Sequence, residues 1–312
     1  MRANEGGKLV TLVYGLLSSI AIDPIEKKPL YHFYPGAPIL SISTVGCNFR
    51  CPWCQNWHIS HAKPNEEQLD YVEPERVVEL MKRYEVPFLA FTYNEPIIWY
   101  EYVEDTAKLV KASGGFNVLV TNGYINPEPL EELAKYLDAA NVDVKAFDPT
   151  TYLRVIGGKL DAVLEATKVM KEKGVHVETT YLVVPGINDS EEEFRKMVRW
   201  HLEELSPNVP LHISRFFPAY KFSDKPPTPV EKLVKLWELA RAEGLHYVYV
   251  GNVPGHSGEF TYCPKCGNPV IKRMGFEIYE WNLTEDNRCK FCGEPLKIVG
   301  KRWRSRRRWS FL

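Results

Sequence analysis

The stretch Gly46-Cys47-Asn48-Phe49-Arg50-Cys51-Pro52-Trp53-Cys54 decides how the rest of this chain is interpreted. Its three cysteines are separated by three residues and then by two, and they follow directly on an apolar, β-rich run at residues 39–44. Cysteines spaced this closely suit metal chelation better than disulfide bonds, because their thiolates must converge on one centre. The sequence therefore predicts a metal-bearing loop at the end of a strand.

Three thiolates on one loop are enough to hold three irons of a [4Fe–4S] cluster. The usual ferredoxin arrangement supplies four cysteines, one for each iron. No fourth cysteine is near residues 47–54 in the sequence, so one iron is expected to stay open to a small ligand. An open coordination position marks a reactive centre, as it does for zinc. The alternative is a triplet of buried or zinc-binding cysteines.

Strand and helix patterns alternate along the chain. The apolar, β-rich runs are residues 39–44, 88–93, 117–121, 142–146, 175–184, 211–216 and 247–250. The helical patterns between them are residues 74–85, 97–111, 127–137, 159–173, 191–205 and 229–242. Strand starts that recur at the length of a βα unit indicate parallel strands. We expect an α/β fold with a partial (β/α) barrel, and a doubly wound sheet is the alternative.

Helix-end signals support these boundaries. Ser190 with Glu193, and Thr228 with Glu231, fit the capping box, in which a hydroxyl and a carboxylate satisfy opposite N–H groups. Gly174 follows its helix as a left-handed C-terminal cap does, and Gly244 is the same case at the end of 229–242.

The C-x3-C-x2-C spacing, with the aromatic Trp53 just before the third cysteine, resembles the radical S-adenosylmethionine (SAM) superfamily. The resemblance implies a partial barrel with the motif after its first strand, and a [4Fe–4S] cluster held by Cys47, Cys51 and Cys54. It also implies that SAM chelates the open iron and is split reductively to a 5′-deoxyadenosyl radical, which abstracts a substrate hydrogen. In such an enzyme the cofactor supplies the chemistry, and the protein orients it and excludes water.

Three further strand ends carry candidate contacts, which are Thr92-Tyr93-Asn94-Glu95, Thr121-Asn122-Gly123 and Asp143-Val144-Lys145. The resemblance implies that Tyr93, Asn94 and Glu95 contact the methionyl amino group, in place of a Gly-Gly-Glu-like segment. It implies cofactor contacts for Trp53, Thr121, Asn122 and Asp143, and a catalytic role for Lys145. Barrel enzymes place such groups at strand C-termini. An ordinary turn at Thr121 and an ion pair between Asp143 and Lys145 are the alternatives.

Four more side chains are weaker candidates. Thr180 and Arg215, on later strands, are expected to point inward as well. His58 and His61 flank the cysteine loop and are candidates for substrate contact, with ordinary packing as the alternative.

A closer resemblance extends over nearly the whole chain. Segments 23–30, 47–57, 91–96, 184–189 and 251–255 resemble the AmmeMemoRadiSam-system radical enzymes, which are related to glycyl-radical-enzyme activases. The resemblance implies AMMECR1-like and Memo-like partners and a one-electron donor such as ferredoxin or flavodoxin, and it leaves the substrate open. Members carry a cysteine-rich module ahead of the segment found here as Arg2-Ala3-Asn4, so a chain shortened at its start is expected.

The second cysteine group predicts a separate metal site. Cys263 and Cys266 form one pair and Cys289 and Cys292 the other, with two residues inside each pair, 22 between them and a glycine after each. Four thiolates close a tetrahedral site, which matches structural zinc or a rubredoxin-type iron. We expect a small C-terminal zinc-ribbon or rubredoxin-like module that is structural, with substrate docking or electron relay as alternatives.

Composition fixes the remaining expectations. Apolar residues make up 45% of the 312 residues, which excludes a disordered or disulfide-stapled miniature protein. The 14-residue apolar stretch 9–22 is shorter than the roughly 20 residues of a membrane span. We expect it to form two short strands meeting near Tyr14-Gly15, with a signal peptide as the alternative. Two metal-type cysteine groups indicate the reducing cytoplasm and no membrane.

Four regions follow from these patterns. They are an N-terminal β segment at 1–36, the barrel at 37–253, the four-cysteine module at 254–300 and a basic tail at 301–312. The tail holds six Lys or Arg and no acid, although the whole chain has a formal charge of −1. A solvated end is expected for the tail, and phosphate binding is the alternative.

Three functions from different classes remain open. The first is a radical SAM enzyme of the AmmeMemoRadiSam type, acting on an unidentified substrate that is macromolecular or presented by a macromolecule. The second is an activase that installs a glycyl radical on a partner enzyme. The third is a non-catalytic iron–sulfur and zinc protein that binds nucleic acid.

Overall fold

The computed structural model describes residues 1–64 and 69–303, and within them an eight-stranded sheet forms the centre of the molecule. The strands in chain order are β1 (Arg2–Glu5), β2 (Lys8–Thr11), β3 (Leu16–Leu17), β4 (Ser19–Pro24), β5 (Pro38–Ser43), β6 (Asp70–Tyr71), β7 (Phe88–Phe91), β8 (Phe116–Thr121), β9 (Ala139–Asp143), β10 (His176–Val183), β11 (Leu211–Arg215), β12 (Val248–Gly251), β13 (Thr261–Tyr262), β14 (Pro269–Met274) and β15 (Glu277–Trp281). The spatial order of the central sheet is β12-β11-β10-β9-β8-β7-β5-β4. Every neighbouring pair from β5 to β12 is parallel, and β4 is antiparallel to β5.

Helices connect the parallel strands. They are α1 (Trp57–Ser60), α2 (Pro74–Tyr84), α3 (Tyr100–Ala112), α4 (Pro127–Ala134), α5 (Pro149–Thr151), α6 (Leu160–Glu172), α7 (Glu191–Trp200) and α8 (Val230–Ala242). Each of the longer helices buries one apolar stripe and leaves its charged residues outside, as α2 does with Val77, Val78 and Met81. All six residues of β5 are buried, as expected for a parallel strand covered on both faces. The alternating βα order predicted from the sequence is confirmed.

The helix-end predictions are confirmed in part. Ser190 caps α7, because its side chain accepts a hydrogen bond from the Glu193 N–H. The capping box at Thr228 is wrong: its hydroxyl donates to the Val183 carbonyl and accepts from the Phe216 N–H, so it ties two loops together. Gly174 and Gly244 do follow α6 and α8 with left-handed backbone.

Two element boundaries also differ from the expectation. The predicted strand 142–146 is observed as β9, which ends at Asp143. The predicted helix 191–205 changes after Trp200 into one turn of π-helix, His201–Leu205. The pattern of backbone hydrogen bonds decides where a strand or helix ends. Hydrophobic periodicity along the sequence does not reveal that pattern.

The N-terminal stretch 9–22 folds into strand segments, as predicted. β2 pairs with β1, the short β3 pairs with β6, and β4 extends the central sheet beside β5. In the described ranges 1–64 and 69–303, no helix has the length and apolar character needed to cross a bilayer.

A buried polar chain joins the C-terminal sheet β13–β15 to the barrel. The Arg273 guanidinium donates to the Thr261 hydroxyl at 2.8 Å and to the Tyr31 carbonyl at 3.1 Å. The Tyr249 hydroxyl, on β12, lies 2.9 Å from the Thr261 hydroxyl and 2.5 Å from His32 Nε2. Because Arg273 is fully buried, these bonds fix the C-terminal sheet against both the N-terminal segment and the edge strand β12.

The chain after this sheet is anchored as far as it is described. The Trp303 ring packs edge-on against Phe88 with ring centroids 5.6 Å apart. The backbone N–H of Trp303 donates to the Pro35 carbonyl. The predicted solvated tail is therefore wrong for Trp303, and residues 304–312 lie outside the described residues.

Candidate active site

One cavity of about 550 Å3 collects most of the predicted site residues. Its wall includes residues from the strands or strand ends of β7, β8, β9, β10, β11 and β12, so the sheet curls around it as a partial barrel. The predicted residues on its wall are Cys47, Cys51, Trp53, Cys54, His61, Tyr93, Asn94, Glu95, Thr121, Asn122, Asp143, Lys145 and Thr180. Two further candidates, Arg215 and His58, are not among the described residues that form this wall.

The cysteine loop follows β5 and presents its sulfur atoms to hydrogen-bond donors. The Phe49 N–H donates to Cys47 Sγ at 3.3 Å, and Asn122 Nδ2 lies 3.8 Å from the same sulfur. Burial raises the pKa of Cys47 to about 12 and that of Cys51 to about 11. Metal binding requires the thiolate form, so it must displace protons from these sulfur atoms.

The loop is fixed from two sides. The Arg50 N–H donates to the Ile156 carbonyl at 2.9 Å, which attaches it to the segment after β9. The Lys221 N–H donates to the Pro52 carbonyl at 3.0 Å, which attaches it to the segment after β11. Gly158 faces the Phe49 ring so closely that a Cβ there would lie 2.3 Å from a ring carbon. Close backbone approach therefore requires glycine at this position.

Glu95 joins the ends of two neighbouring strands. Its carboxylate accepts 2.7 Å hydrogen bonds from the Thr121 hydroxyl and the Asn122 N–H, and a 3.0 Å bond from the Ile97 N–H. Burial raises the pKa of Glu95 to about 7, and these bonds partly offset that rise. The side chain is 3% exposed, so a further polar partner is available only from the cavity.

The two residues before Glu95 form a tight turn at the end of β7. Tyr93 has a left-handed φ of 69°, a conformation that costs a non-glycine residue about 1–3 kcal/mol. Asn94 is buried and ties the turn to the cysteine loop: Nδ2 donates to the Gly46 carbonyl, and Oδ1 accepts from the Thr44 N–H. Strain of this kind is stored where surrounding contacts hold it, here beside the cysteine loop.

Asp143 and Lys145 form an ion pair of 2.8 Å inside the cavity. Burial alone would lower the pKa of Lys145, but the Asp143 carboxylate and the nearby Cys51 hold it well above the ordinary lysine value. The Lys145 N–H donates to the Tyr152 hydroxyl, and the Lys145 carbonyl accepts from Asn188 Nδ2, so the backbone is fixed. The structure thus contains the ion pair that the sequence left as an alternative, and it faces the cavity.

Sequence reasoning missed a second charged group on the cavity wall. Lys28 is 1% exposed and lies 2.6 Å from the Asp23 carboxylate, which also accepts a short hydrogen bond from the Tyr93 hydroxyl. Lys28 Nζ lies 4.2 Å from the centre of the Tyr93 ring. The sequence identifies segment 23–30 only through the family resemblance, because its contact with Tyr93 joins residues 70 apart in the chain.

The rest of the cavity wall includes residues from three other parts of the chain. Glu26 and Tyr31 come from the N-terminal segment, His212 and Ser214 from β11, and Phe276 from the turn between β14 and β15. His212 donates to the fully buried Glu178 at 2.7 Å. The four-cysteine region therefore contributes to the wall of the site through Phe276.

The four C-terminal cysteines form a site ready for one metal ion. The sulfur atoms of Cys263, Cys266, Cys289 and Cys292 all lie within 4.8 Å of one another. The two halves match in their backbone bonds, because the Gly267 N–H donates to the Cys263 carbonyl and the Gly293 N–H to the Cys289 carbonyl. Four converging thiols fit a tetrahedral zinc or iron ion. The four C-terminal cysteines therefore suit one such ion, and the three cysteines of the loop share the cavity wall.

Comparison with known proteins identifies the family. Residues 41–200 match the model of the radical SAM superfamily. The chain is 47% identical to an uncharacterized protein of Methanocaldococcus jannaschii over 299 residues, covering 96% of this chain and 89% of that protein. It is 26% identical to the pyruvate formate-lyase-activating enzyme of Clostridium pasteurianum over 161 residues, covering 49% of this chain and 64% of that enzyme.

A solved structure shares the fold. A radical SAM methyltransferase from Sphaerobacter thermophilus superposes with a TM-score of 0.54 at 16% identity, covering 73% of this chain and 71% of that one. The chain belongs to the radical SAM superfamily. Membership implies a [4Fe–4S] cluster and SAM, and the three thiols of the cysteine loop match that need. It is also related to the pyruvate formate-lyase activating enzymes.

Proposed function

We propose that this protein cleaves SAM reductively and uses the resulting radical to abstract hydrogen from a substrate held in the barrel cavity. The observation that carries the proposal is the shared wall: the three thiols of the cysteine loop, Glu95 and the Asp143–Lys145 pair all face one cavity. When bound, the cluster and SAM supply a one-electron cleavage that yields a 5′-deoxyadenosyl radical. Cys47, Cys51 and Cys54 are the ligands we assign to the cluster.

The chain's own residues provide orientation and shielding. We assign Glu95 to accept a hydrogen bond from the methionyl amino group, because its buried carboxylate lies on the cavity wall. Trp53 is 2% exposed and packs against Phe222 beside the third cysteine, which excludes water there. Tyr93, Asn94, Thr121 and Asn122 shape the surrounding wall. Lys145, charged and paired with Asp143, is placed to bind and polarise an acceptor group of the substrate.

The test is anaerobic reconstitution followed by measurement of 5′-deoxyadenosine. We expect about four irons per barrel and a reduced-cluster EPR signal that changes when SAM is added. Cys51→Ala should abolish formation of 5′-deoxyadenosine, while Cys266→Ala should keep it, because that residue lies in the other cysteine group. Formation of 5′-deoxyadenosine by Cys51→Ala at the rate of the unmodified protein would overturn the proposal.

We further propose that the protein belongs to the AmmeMemoRadiSam system, with AMMECR1-like and Memo-like partners. The segments that resemble this group include 23–30 and 251–255, and both contribute to the cavity wall. Affinity capture with tagged AMMECR1-like and Memo-like proteins from one organism tests the assignment. Binding of neither protein, with or without SAM, would count against it.

The substrate in this proposal is macromolecular or is presented by a macromolecule. Support comes from the C-terminal sheet, where Met274 and Phe276 are 61% and 48% exposed and Phe276 reaches the cavity wall. Removing residues 304–312 spares Trp303 and its packing, so it tests the basic tail alone. We expect SAM cleavage without substrate to survive, and turnover of the physiological partner to weaken. A free small molecule turned over at full rate by the shortened protein would contradict this part.

A glycyl-radical-enzyme activase is the second candidate, favoured by the similarity to the enzyme of Clostridium pasteurianum. An activase requires a partner polypeptide, in which it abstracts a hydrogen atom from one glycine to form a glycyl radical. A glycyl-radical EPR signal on a co-expressed partner, dependent on SAM and on Cys51, would select it over the first candidate.

A further inference from the structure

We propose that a basic face flanking the cysteine loop is the docking site for a small acidic protein that delivers single electrons. The basic face consists of Arg50, Arg154, Lys159, Lys221 and Lys225. This inference rests on the proposed function, because only a cluster that must be reduced needs such a partner. One electron leaves the carrier, which is oxidised by one equivalent, and enters the cluster, with no bond made or broken.

The first flank is built on the segment after β9. Arg50 lies in the loop between Cys47 and Cys51, and its side chain is exposed. Its N–H bond to the Ile156 carbonyl holds the loop against the turn that carries Arg154 and Lys159. Both of these side chains are exposed. Three cations are thereby grouped at one side of the cysteine loop.

The second flank is built on the segment after β11. Lys221 is exposed, and its backbone N–H bond to the Pro52 carbonyl holds this segment against the loop. The ring of the next residue, Phe222, lies 5.8 Å from that of Trp53, and Lys225 Nζ lies 4.6 Å from the centre of the Phe222 ring. Two further cations therefore stand against the half of the loop that holds Cys54.

The described part of the chain offers this face no ion-pair partner. Within residues 1–64 and 69–303, none of the five cations forms an ion pair. The nearest acids along the chain are Asp161 and Asp224, and the chain as a whole carries a formal charge of −1. A local cluster of unpaired cations attracts an oppositely charged surface and speeds its encounter, an effect that falls with added salt.

Exposed apolar side chains accompany the charges. Leu153 is 64% exposed beside Arg154, and Trp57 is 47% exposed and stacks on Tyr220 with ring centroids 5.5 Å apart. Arginine and aromatic residues are enriched in protein–protein interfaces. Apolar contacts stabilise such a complex after charge attraction has brought the two proteins together. The mixture suits a protein partner better than a bare polyanion.

Position decides in favour of an electron carrier. Arg50 is next to Cys51, and Lys221 is bonded to the residue that follows Cys51, so a protein seated here is separated from the cluster ligands by one layer of chain. Electron transfer between proteins requires short separation. Binding of a nucleic acid by the same cations would not require a short distance to the cluster ligands.

The test is a charge-reversed variant, Arg154→Glu with Lys159→Glu and Lys221→Glu. None of these three residues is on the cavity wall. The probe is flavodoxin, an acidic flavin protein, and its affinity for the reconstituted protein is measured by calorimetry. Its hydroquinone is then mixed with the same protein in a stopped-flow instrument to follow cluster reduction. At low salt we expect both the affinity and the second-order rate to fall by about tenfold or more. The difference should vanish near 1 M salt, where the Debye length is about 3 Å.

Two controls isolate docking from damage. Lys8→Glu with Lys82→Glu and Lys290→Glu changes the same amount of charge at exposed cations elsewhere, and it should bind flavodoxin as the unmodified protein does. Reduced methyl viologen, a small cation, should reduce the cluster of both variants no more slowly than that of the unmodified protein. Slower reduction by methyl viologen would mean that the cysteine loop is disturbed, and the assignment of the face would fail.

The remaining outcomes are decisive as well. Unchanged flavodoxin affinity in the charge-reversed variant overturns the inference. Tight binding of a short single-stranded RNA, lost in the same variant and without any effect on flavodoxin, would assign the face to nucleic acid instead. If methyl viologen reduces the cluster but SAM is not cleaved, the proposed function fails while the docking result stands on its own.

Discussion

The Glu95 carboxylate accepts a 2.7 Å hydrogen bond from the Asn122 N–H, and Asn122 also contacts the cysteine loop. Asn122 in turn donates through Nδ2 to Asn48 Oδ1 at 2.7 Å and approaches Cys47 Sγ at 3.8 Å. Glu95 therefore sets the position of a residue that contacts the loop, in addition to facing the cavity itself. Because Asn122 keeps its own hydrogen bond to Asn48, a change at Glu95 is expected to act first on SAM and only weakly on iron.

Glu95→Gln should weaken SAM binding while leaving the iron content of the reconstituted protein nearly intact. The amide keeps the size of the side chain but loses the charge that, in the proposed function, accepts from the SAM amino group. Loss of one charge-assisted hydrogen bond costs about 1.5–3 kcal/mol, which corresponds to roughly 10- to 150-fold in Kd. Calorimetric titration of SAM into the reconstituted protein measures it.

The matched control is Glu128→Gln, an exposed glutamate in the first turn of α4 that lies outside the cavity wall. It should bind SAM as the unmodified protein does. An unchanged Kd for Glu95→Gln would show that this carboxylate is only a link between β7 and β8.

Gly158→Ala should reduce the iron that the cysteine loop retains. The new Cβ would lie 2.3 Å from the Phe49 ring, which is already packed between Tyr124 and Tyr152. Overpacking of this kind costs about 1–3 kcal/mol and shifts the backbone that carries Cys47 and Cys51. Iron and labile sulfide analysis after reconstitution gives the measurement.

A second substitution makes this result specific. Phe49→Leu removes the ring that the new Cβ meets, so the double variant should regain iron relative to Gly158→Ala alone. If Gly158→Ala holds a full complement of iron, the close approach is not what fixes the loop.

The four-cysteine site should contribute directly to stability. Cys289 is 1% exposed and converges with the other three sulfur atoms, so Cys289→Ser should lose the bound metal and lower the midpoint of thermal unfolding. Elemental analysis of the purified protein then shows one zinc or iron fewer per chain. Cys54→Ser, in the other group, should leave this metal in place, and loss of both metals in either variant would contradict two independent sites.

The sequence could predict what depends on neighbours along the chain. The C-x3-C-x2-C loop, the paired C-terminal cysteines and the βα alternation are local patterns, and each is found in the structure. The Asp143–Lys145 pair was also within reach, because residues two apart at a strand end share a face.

Long-range contacts were out of reach for the same reason. Arg273 donates to the Tyr31 carbonyl across 242 residues, and the Tyr93 hydroxyl donates to the Asp23 carboxylate across 70 residues. At Thr228, by contrast, a local signal in the sequence predicts a contact that does not form. Its spacing to Glu231 fits a cap, but a buried carbonyl at Val183 competes for the hydroxyl and wins. Tertiary hydrogen bonding overrides a local signal when it satisfies a buried group.

His201 should make the folded protein less stable in mild acid. It is fully buried in the π-turn after α7, and its Nε2 lies 3.1 Å from the Thr179 hydroxyl while Nδ1 has no partner among the described residues. Burial, together with the charge of Lys171, lowers the pKa of His201 from 6.5 to about 3. Between those two values the unfolded chain binds a proton that the folded protein does not. Unfolding therefore becomes easier as the pH falls below 6.5.

His201→Leu tests this directly, because it removes the titrating ring and fills the same apolar site. Between pH 6.5 and 4.5 the unmodified protein should lose about 2 kcal/mol more of its free energy of unfolding than the variant does. Thr179→Val is the matched control: it removes the hydrogen-bond partner of His201 but no titrating group, and it should keep the steep pH dependence. Urea unfolding followed by circular dichroism at each pH, on protein with both metal sites loaded, gives the slopes. Equal slopes for His201→Leu and the unmodified protein would mean that another group controls the loss of stability in acid.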